Sequence, residues 1–242
     1  MNYFFITGTS RGIGKALTEE ILKARSAFVT GLSRENKFSH ANYNHYFIDL
    51  NDLDSLSNFC FTKFADAESI TLVNNAAIIG DINQIGKLDL TAISKVYHIN
   101  LMAPLILMNG FINAYQNLKA KKLILNISSG AARHPVESWG LYCSSKSSID
   151  MITKVASEEQ KQYNDKISIR VLSVAPGIVD TNMQTVIRET TRDRFRMVDK
   201  FINYKKENQL VSPQETAKKL LKIINNPERF EKSILDVREI DL

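Results

Sequence analysis

Thr7-Gly8-Thr9-Ser10-Arg11-Gly12-Ile13-Gly14 lies between an apolar run at residues 3–7 and a helically patterned stretch at residues 12–24. Glycines at such a junction permit a tight turn and a close approach of backbone to a bound group. A helix that starts inside this stretch offers unpaired N–H groups and the positive end of its dipole to an anion such as a phosphate. The spacing is G-x-x-x-G-x-G, distinct from the more usual G-x-G-x-x-G. A strand before and a helix after are the setting that an anion-binding turn requires. A plain strand-to-helix turn is the competing reading.

The same alternation continues outward from this turn. Short runs rich in β-branched and aromatic residues recur at 27–32, 45–48, 70–73, 122–127, 167–174 and 233–237. Helical periodicity occupies 53–64, 91–117, 141–162 and 213–225 between them. Strands apolar on both faces and alternating with helices predict an α/β fold: one doubly wound parallel sheet of about seven strands, helices on both faces, a single-domain Rossmann fold over residues 1–242. One stretch, about 180–210, breaks the rhythm with mixed charge after the Pro176-Gly177 turn. At the carboxyl end of a strand, such an insertion is expected to be a lid over a site, or else a peripheral helical excursion.

Composition narrows the classes. The chain is 44% hydrophobic and 24% charged, an ordinary globular balance. Cys60 and Cys143 have neither metal-ligand spacing nor a disulfide pattern, and His40, His45, His98 and His134 are scattered, so no metal site is expected. The net charge of +5 comes from basic residues interleaved with acids, as in Arg192-Asp193-Arg194, which argues against nucleic acid as a partner. No window approaches 18 consecutive apolar residues and no leader pattern precedes Tyr3. The expectation is a cytoplasmic protein in a reducing compartment, without a membrane partner.

Two further patterns carry chemistry. The second predicted strand ends in Ser33-Arg34 with no acid at the position that usually holds an adenosine ribose diol. Arg34, with Ser33 as a donor and Arg11 on the same side, would suit a ribose 2′-phosphate, so NADP(H) is expected over NAD(H). Glu35 is expected to orient an arginine or to face solvent. Farther on, Tyr142 and Lys146 stand one helical turn apart, and Ser129 lies upstream in Asn126-Ile127-Ser128-Ser129-Gly130. Side chains spaced by four share a helix face. An ammonium near a phenol is expected to lower the tyrosine's pKa from about 10, and a serine hydroxyl could bond the same substrate oxygen. Such a set moves a proton to or from a carbonyl oxygen without metal or histidine.

Taken in chain order, the glycine turn, Asn74-Asn75-Ala76, Asn100, Ser129, Tyr142, Lys146 and Pro176-Gly177 resemble the short-chain dehydrogenase/reductase family along the whole chain. The resemblance implies hydride transfer between a nicotinamide cofactor and a carbonyl or alcohol. It implies Tyr142 as the proton donor, Lys146 on the tyrosine and the nicotinamide ribose, Ser129 on the substrate oxygen (with Ser128 as the competing choice) and Asn100 as support for a proton relay through the lysine. Pro104 gives an independent reason for that last role, because it lacks the N–H that the Asn100 carbonyl would receive in a regular helix. The cofactor contacts implied are Gly8, Ser10, Arg11, Gly12, Ile13, Gly14, Ser33, Arg34, Asp49, Leu50, Asn75, Ala76, Tyr142, Lys146, Pro176, Gly177, Val179 and Thr181. Ala77 stands where the family's N-N-A-G has glycine, which puts the local turn geometry in question.

Longer stretches around Trp139-Gly140-Leu141-Tyr142-Cys143 and residues 175–184 resemble the sepiapterin reductase branch and the bacterial benzil reductases that form (S)-benzoin. They imply an NADPH-dependent reductase of a small ketone or 1,2-dicarbonyl compound. Trp139 would either flank an aromatic substrate or pack internally, and Met183 is a further substrate candidate. Sepiapterin reductases hold the pterin with an aspartate near the C-terminus. A gap-free comparison puts Val237 opposite it, and Asp236 matches only after a one-residue slip, so the dicarbonyl reading ranks above the pterin one. An NADP(H)-sensing protein without turnover is the alternative of another class. By analogy with the family, the helices at 91–117 and 141–162 would form the interface of a homodimer or homotetramer.

Overall fold

Each apolar run becomes a strand: β1 (Asn2–Thr7), β2 (Ala27–Ser33), β3 (Tyr43–Phe47), β4 (Ser69–Asn74), β5 (Lys121–Ile127), β6 (Arg170–Ala175) and β7 (Ile234–Asp236). The structure is a computed structural model and describes residues 1–64 and 66–240. The strands form one sheet in the order β3-β2-β1-β4-β5-β6-β7, parallel throughout. The chain winds outward from β1 in one direction and from β4 in the other. That reversal opens a crevice at the carboxyl ends of the two strands, where a doubly wound sheet binds its ligand.

Helices α1 (Gly12–Ile21), α2 (Leu53–Ser57), α3 (Leu90–Tyr97), α4 (Ala103–Tyr115), α5 (Gly140–Gln160), α6 (Asn182–Arg188), α7 (Val198–Lys206) and α8 (Pro213–Asn225) complete the fold. On one face of the sheet, Leu17 and Ile21 of α1 and Leu220 and Ile223 of α8 bury against Phe4, Ile6, Val29 and Leu125. On the other, Leu107, Phe111 and Tyr115 of α4 and Ala156 of α5 cover Phe5, Leu72, Ile124 and Val171. Alternate residues of one strand, such as Phe4 and Phe5, thus enter opposite cores. This is why the strands read as continuous apolar runs. Each large side chain buried this way contributes about 1.5–3 kcal/mol.

The glycine turn is sterically determined. A side chain at Gly14 would lie 2.3 Å from the Gly8 carbonyl oxygen and 2.5 Å from Asn75 Nδ2. Gly8 itself has φ of +73°, which other residues rarely adopt. Ala77 raises no such difficulty, since among the described residues the only non-glycine positions with positive φ are Ser138 and Asn208.

Three expectations about local structure need correction. The helix expected over 53–64 ends at Ser57, where Ser57 Oγ and Asn58 Nδ2 both donate to the Asp54 carbonyl. The following Phe59, Phe61 and Phe64 are spaced for an irregular path. Phe61 packs edge-on against Phe5 at 4.8 Å and Phe64 stacks on Tyr3 at 3.6 Å between ring centres. Aromatic burial outweighs helix continuation there. The helix expected over 91–117 is split by a π turn, His98–Met102, just ahead of Pro104. Proline's missing N–H breaks the regular ladder, and Ala103 N bonds back to His98 O instead. Taken together, Leu90–Tyr115 is a 26-residue helical run containing an 18-residue window of mean hydropathy 1.3, long and apolar enough to cross a membrane. Here it lies along the sheet and buries Ala103, Leu107, Met108 and Phe111. The strand expected over 167–174 is displaced towards its carboxyl end and begins only at Arg170.

The 180–210 stretch holds α6 and α7 and is closed at its base. Val179 bridges Val211, with Asp180 N donating to Val211 O and Val211 N to Ile178 O, both at 2.9 Å. Ser212 then caps α8 by accepting from Glu215 N, with Pro213 at the first helical position.

Candidate active site

Four elements converge at the carboxyl ends of β1, β4, β5 and β6. Helix α1 starts at Arg11 with no side-chain cap and no acid in its first turn, so its leading N–H groups are open to an anion. Across from it, Asn75 Nδ2 donates to the carbonyls of Thr7 (2.9 Å) and Gly8 (3.3 Å), and Asn75 N and Ala76 N both donate to Thr7 Oγ1. These bonds lock the β4 turn onto the glycine turn. The chain after β6 reaches over the same place: a methyl group at Gly12 would sit 3.4 Å from Thr181 Cγ2. Ser10, Ile13, Pro176, Gly177 and Val179 belong to these converging segments, so the expected cofactor residues of this end are brought together.

At the end of β2 the picture is more selective. The Ser33 hydroxyl is buried, donates to Glu35 O at 3.0 Å and lies 3.3 Å from Thr9 Oγ1. It shapes the turn at the end of β2. Glu35 pairs with Lys37 at 2.8 Å, and that lysine chiefly draws its carboxyl below the usual range. Arg11 and Arg34 are exposed and have no ion-pair partner among the described residues. Asp49 is exposed and accepts from Asn51 N at 3.0 Å, beside buried Leu50.

The helical pair is buried on α5. Tyr142 and Lys146 are 7% and 4% exposed, with Lys146 Nζ 5.8 Å from the centre of the tyrosine ring. The ammonium donates to the Ile127 carbonyl at 2.7 Å. Burial pushes the phenol up to about 12, while the nearby Ser129 hydroxyl draws it the other way and Cys143 adds a smaller upward push. Burial pulls Lys146 down to about 8 against the charge of Asp150. The expected lowering of the tyrosine's pKa is therefore not found. Burial outweighs the other influences on the phenol, and the ammonium bonds a β5 carbonyl. Of the two serines, Ser129 faces the phenol. Ser128 is buried with its hydroxyl unpartnered among the described residues.

Asn100 lies in the π turn and is 1% exposed. Its carboxamide pairs both ways with the Ile78 backbone, accepting from N at 2.9 Å and donating to O at 2.8 Å, and it also donates to Ser145 Oγ at 3.2 Å. The side chain thus ties the β4 turn to α5, a role that Pro104 did not foretell.

Above Tyr142 stands an aromatic wall. Trp139 meets Tyr142 edge-on at 5.8 Å and packs on Phe195 at 5.6 Å and Phe201 at 5.2 Å, while Tyr204 meets Phe201 at 5.7 Å. Trp139 is 7% exposed, and Met183 packs partly buried against the same cluster. Phe195, Phe201 and Tyr204 were missed among the charges of 180–210. Their signal was the helical spacing of Val198, Phe201 and Ile202. At the edge of this region, Asp236 lies buried at the end of β7. It accepts from Arg238 Nε (2.9 Å), Nη2 (2.7 Å) and backbone N (3.0 Å), and from Arg133 Nη2 (3.3 Å).

A phosphate-receptive turn, a buried tyrosine–lysine pair and a facing serine on a seven-stranded parallel sheet define a nicotinamide-dependent oxidoreductase acting on CH–OH or C=O groups. The family model for short chain dehydrogenase matches residues 2–192, and the chain belongs to that family. Among its relatives is a benzil reductase ((S)-benzoin forming) of Bacillus cereus, 36% identical over 99% of this chain and 100% of its own. A sepiapterin reductase of Rattus norvegicus is 31% identical over 90% of this chain and 89% of its own. A solved short chain dehydrogenase/reductase of Saccharomyces cerevisiae has the same fold, with a TM-score of 0.84 at 23% identity, covering 99% of this chain and 97% of its own.

The buried lysine predicts a pH signature in stability. Its pKa is depressed in the folded state from 10.5 to about 8. The folded state therefore binds fewer protons between those values, and stability rises with pH there. The burial cost is fully present below pH 8, and above pH 10 the raised Tyr142 reverses the trend. Lys146→Met is expected to be no less stable than the native protein at pH 7 and to reduce the rise between pH 8 and 10 in thermal melts, with Lys122, which burial also pulls down to about 8, supplying the remainder. A large loss of stability at pH 7 with an unchanged slope would contradict this.

Proposed function

We propose that this chain is an NADPH-dependent carbonyl reductase whose substrate is a ketone next to a second carbonyl, of the benzil type. The observation that carries the reading is the aromatic cluster of Trp139, Phe195 and Phe201 that packs against the buried Tyr142, with Trp139 edge-on to its ring. Such aromatic surroundings suit a flat or aromatic ketone better than a sugar or a highly hydrated substrate. The identity with benzil reductases over the full chain supports the same class.

In this reading the reduced nicotinamide supplies hydride. Ser129 holds the ketone oxygen, and Tyr142, protonated throughout the neutral range, gives it a proton as charge develops. Lys146 is cationic below about 8 and steadies the phenolate left behind. Replacing that proton falls to the Asn100 turn and a water relay. Gly8, Ser10, Gly12, Ile13, Gly14, Asn75, Ala76, Pro176, Gly177, Val179 and Thr181 hold the dinucleotide, with Asp49 and Leu50 beside the adenine. Arg34 and Arg11 take the 2′-phosphate, which favours NADP(H) over NAD(H). Residues 180–210 act as the lid.

The pterin reading is weaker because Asp236 is fully engaged by Arg238 and Arg133. We further propose a homodimer or homotetramer in the cytoplasm. Leu105, Met151 and Val155, on α4 and α5, are 43%, 58% and 49% exposed, an apolar excess that a partner subunit would cover.

The expected outcome is NADPH oxidation with benzil or a simple 1,2-dione at a far higher kcat/KM than with sepiapterin, falling above about pH 8. Arg34→Ala should raise the KM for NADPH about tenfold or more and leave that for NADH nearly unchanged. NADPH binding without turnover of any carbonyl would favour the sensor. Light scattering that shows a monomer would remove the oligomer.

A further inference from the structure

Beyond the aromatic cluster, the Asp236 group has a geometry that the reductase mechanism does not use. Asp236 is 2% exposed and sits at the carboxyl end of β7, beside Ala175 of β6. The Arg133 and Arg238 side chains that it holds are 33% and 59% exposed. Arg238 lies against the site on three sides. A methyl group at Gly130, next to Ser129, would sit 3.7 Å from Arg238 Nη2. One at Gly177, in the turn after β6, would sit 3.8 Å from Arg238 Cγ and Cδ. Tyr204 of α7 lies near the guanidinium.

Two guanidiniums share one buried carboxylate beside the substrate serine. Glu239, the other acid acting on Arg238, is exposed and screened by water. Arg238 Nη1 and Arg133 Nη1 and Nε make no hydrogen bond among the described residues. A carboxylate that fixes arginines while leaving donors open is the arrangement that recognises a planar anion.

We propose that Arg133 and Arg238, held by Asp236, bind a carboxylate on the substrate, so that the preferred ketone is an aromatic 2-oxo acid. This rests on the reductase reading and narrows its substrate. The ketone carbon takes up hydride from the reduced nicotinamide and its oxygen takes a proton from Tyr142. The product is the 2-hydroxy acid, with the carboxylate unchanged.

The test compares phenylglyoxylate with its methyl ester, which present the same ketone with and without the charge. The native acid-to-ester ratio of kcat/KM should exceed that of Arg238→Gln by about tenfold or more, with Arg133→Gln moving it in the same direction. Forming the ratio cancels the ester's greater intrinsic reactivity. In parallel, benzoate binding to the NADPH-loaded protein is measured by calorimetry, with thermal melts confirming that each variant folds. Benzoate binding that weakens in both variants supports the anion site even if no ketone is reduced, an outcome that would remove only the reductase reading. Turnover of ketones with the same ratio in native and variant proteins, and no benzoate binding, would overturn the anion site and leave the reductase standing.

Discussion

The ammonium of Lys146 donates to the carbonyl of Ile127, and the arrangement of the candidate site depends on that bond. Ile127 is the last residue of β5, and Ser129 follows two residues later. The bond therefore docks α5 on the strand end and sets Tyr142, one turn before the lysine, opposite the serine. Neither group is there cheaply. Burial pulls the lysine down to about 8 and pushes the tyrosine up to about 12. A fold that tolerates both costs retains a phenol that stays protonated at neutral pH and a nearby cation that stays charged just into it. The pKa shifts run opposite to a simple phenolate model and suit the direction of carbonyl reduction.

Around this bond the structure holds its turns together by reciprocal backbone contacts. Asn75 ties the β4 turn to β1, Asn100 ties it to α5, and the bridge between Val179 and Val211 closes the segment above. The sheet positions the ends, and these amide side chains align the loops. Phe195, Phe201 and Trp139 then roof the tyrosine and exclude water from it.

Much of this could be read from the chain because the underlying physics is local. The β1–α1 turn announces itself through glycines whose side chains would collide, and Tyr142 and Lys146 share a face by helix geometry alone. The alternation of runs gave all seven strands, since a parallel sheet covered on both faces leaves few polar residues inside. The failures are non-local. Phe59, Phe61 and Phe64 leave the helical path because Tyr3 and Phe5, distant in sequence, offer them ring contacts. The carboxamide role of Asn100 depends on Ile78 and Ser145. Ser33 turns inward because Thr9 and the Glu35 carbonyl are there. Asp236 shows its partners only once β7 lies beside β6. The sign of the tyrosine shift was misread for the same reason: spacing reveals the neighbouring charge but not the depth of burial.

The central claim is that Tyr142 delivers the proton, and Tyr142→Phe tests it most directly. The variant keeps the ring against Trp139 and removes only the hydroxyl. The account predicts that kcat for reduction of benzil falls by about a hundredfold or more, while NADPH affinity and the melting temperature stay close to native values. A Tyr142→Phe protein that reduces the ketone at the native rate would contradict it.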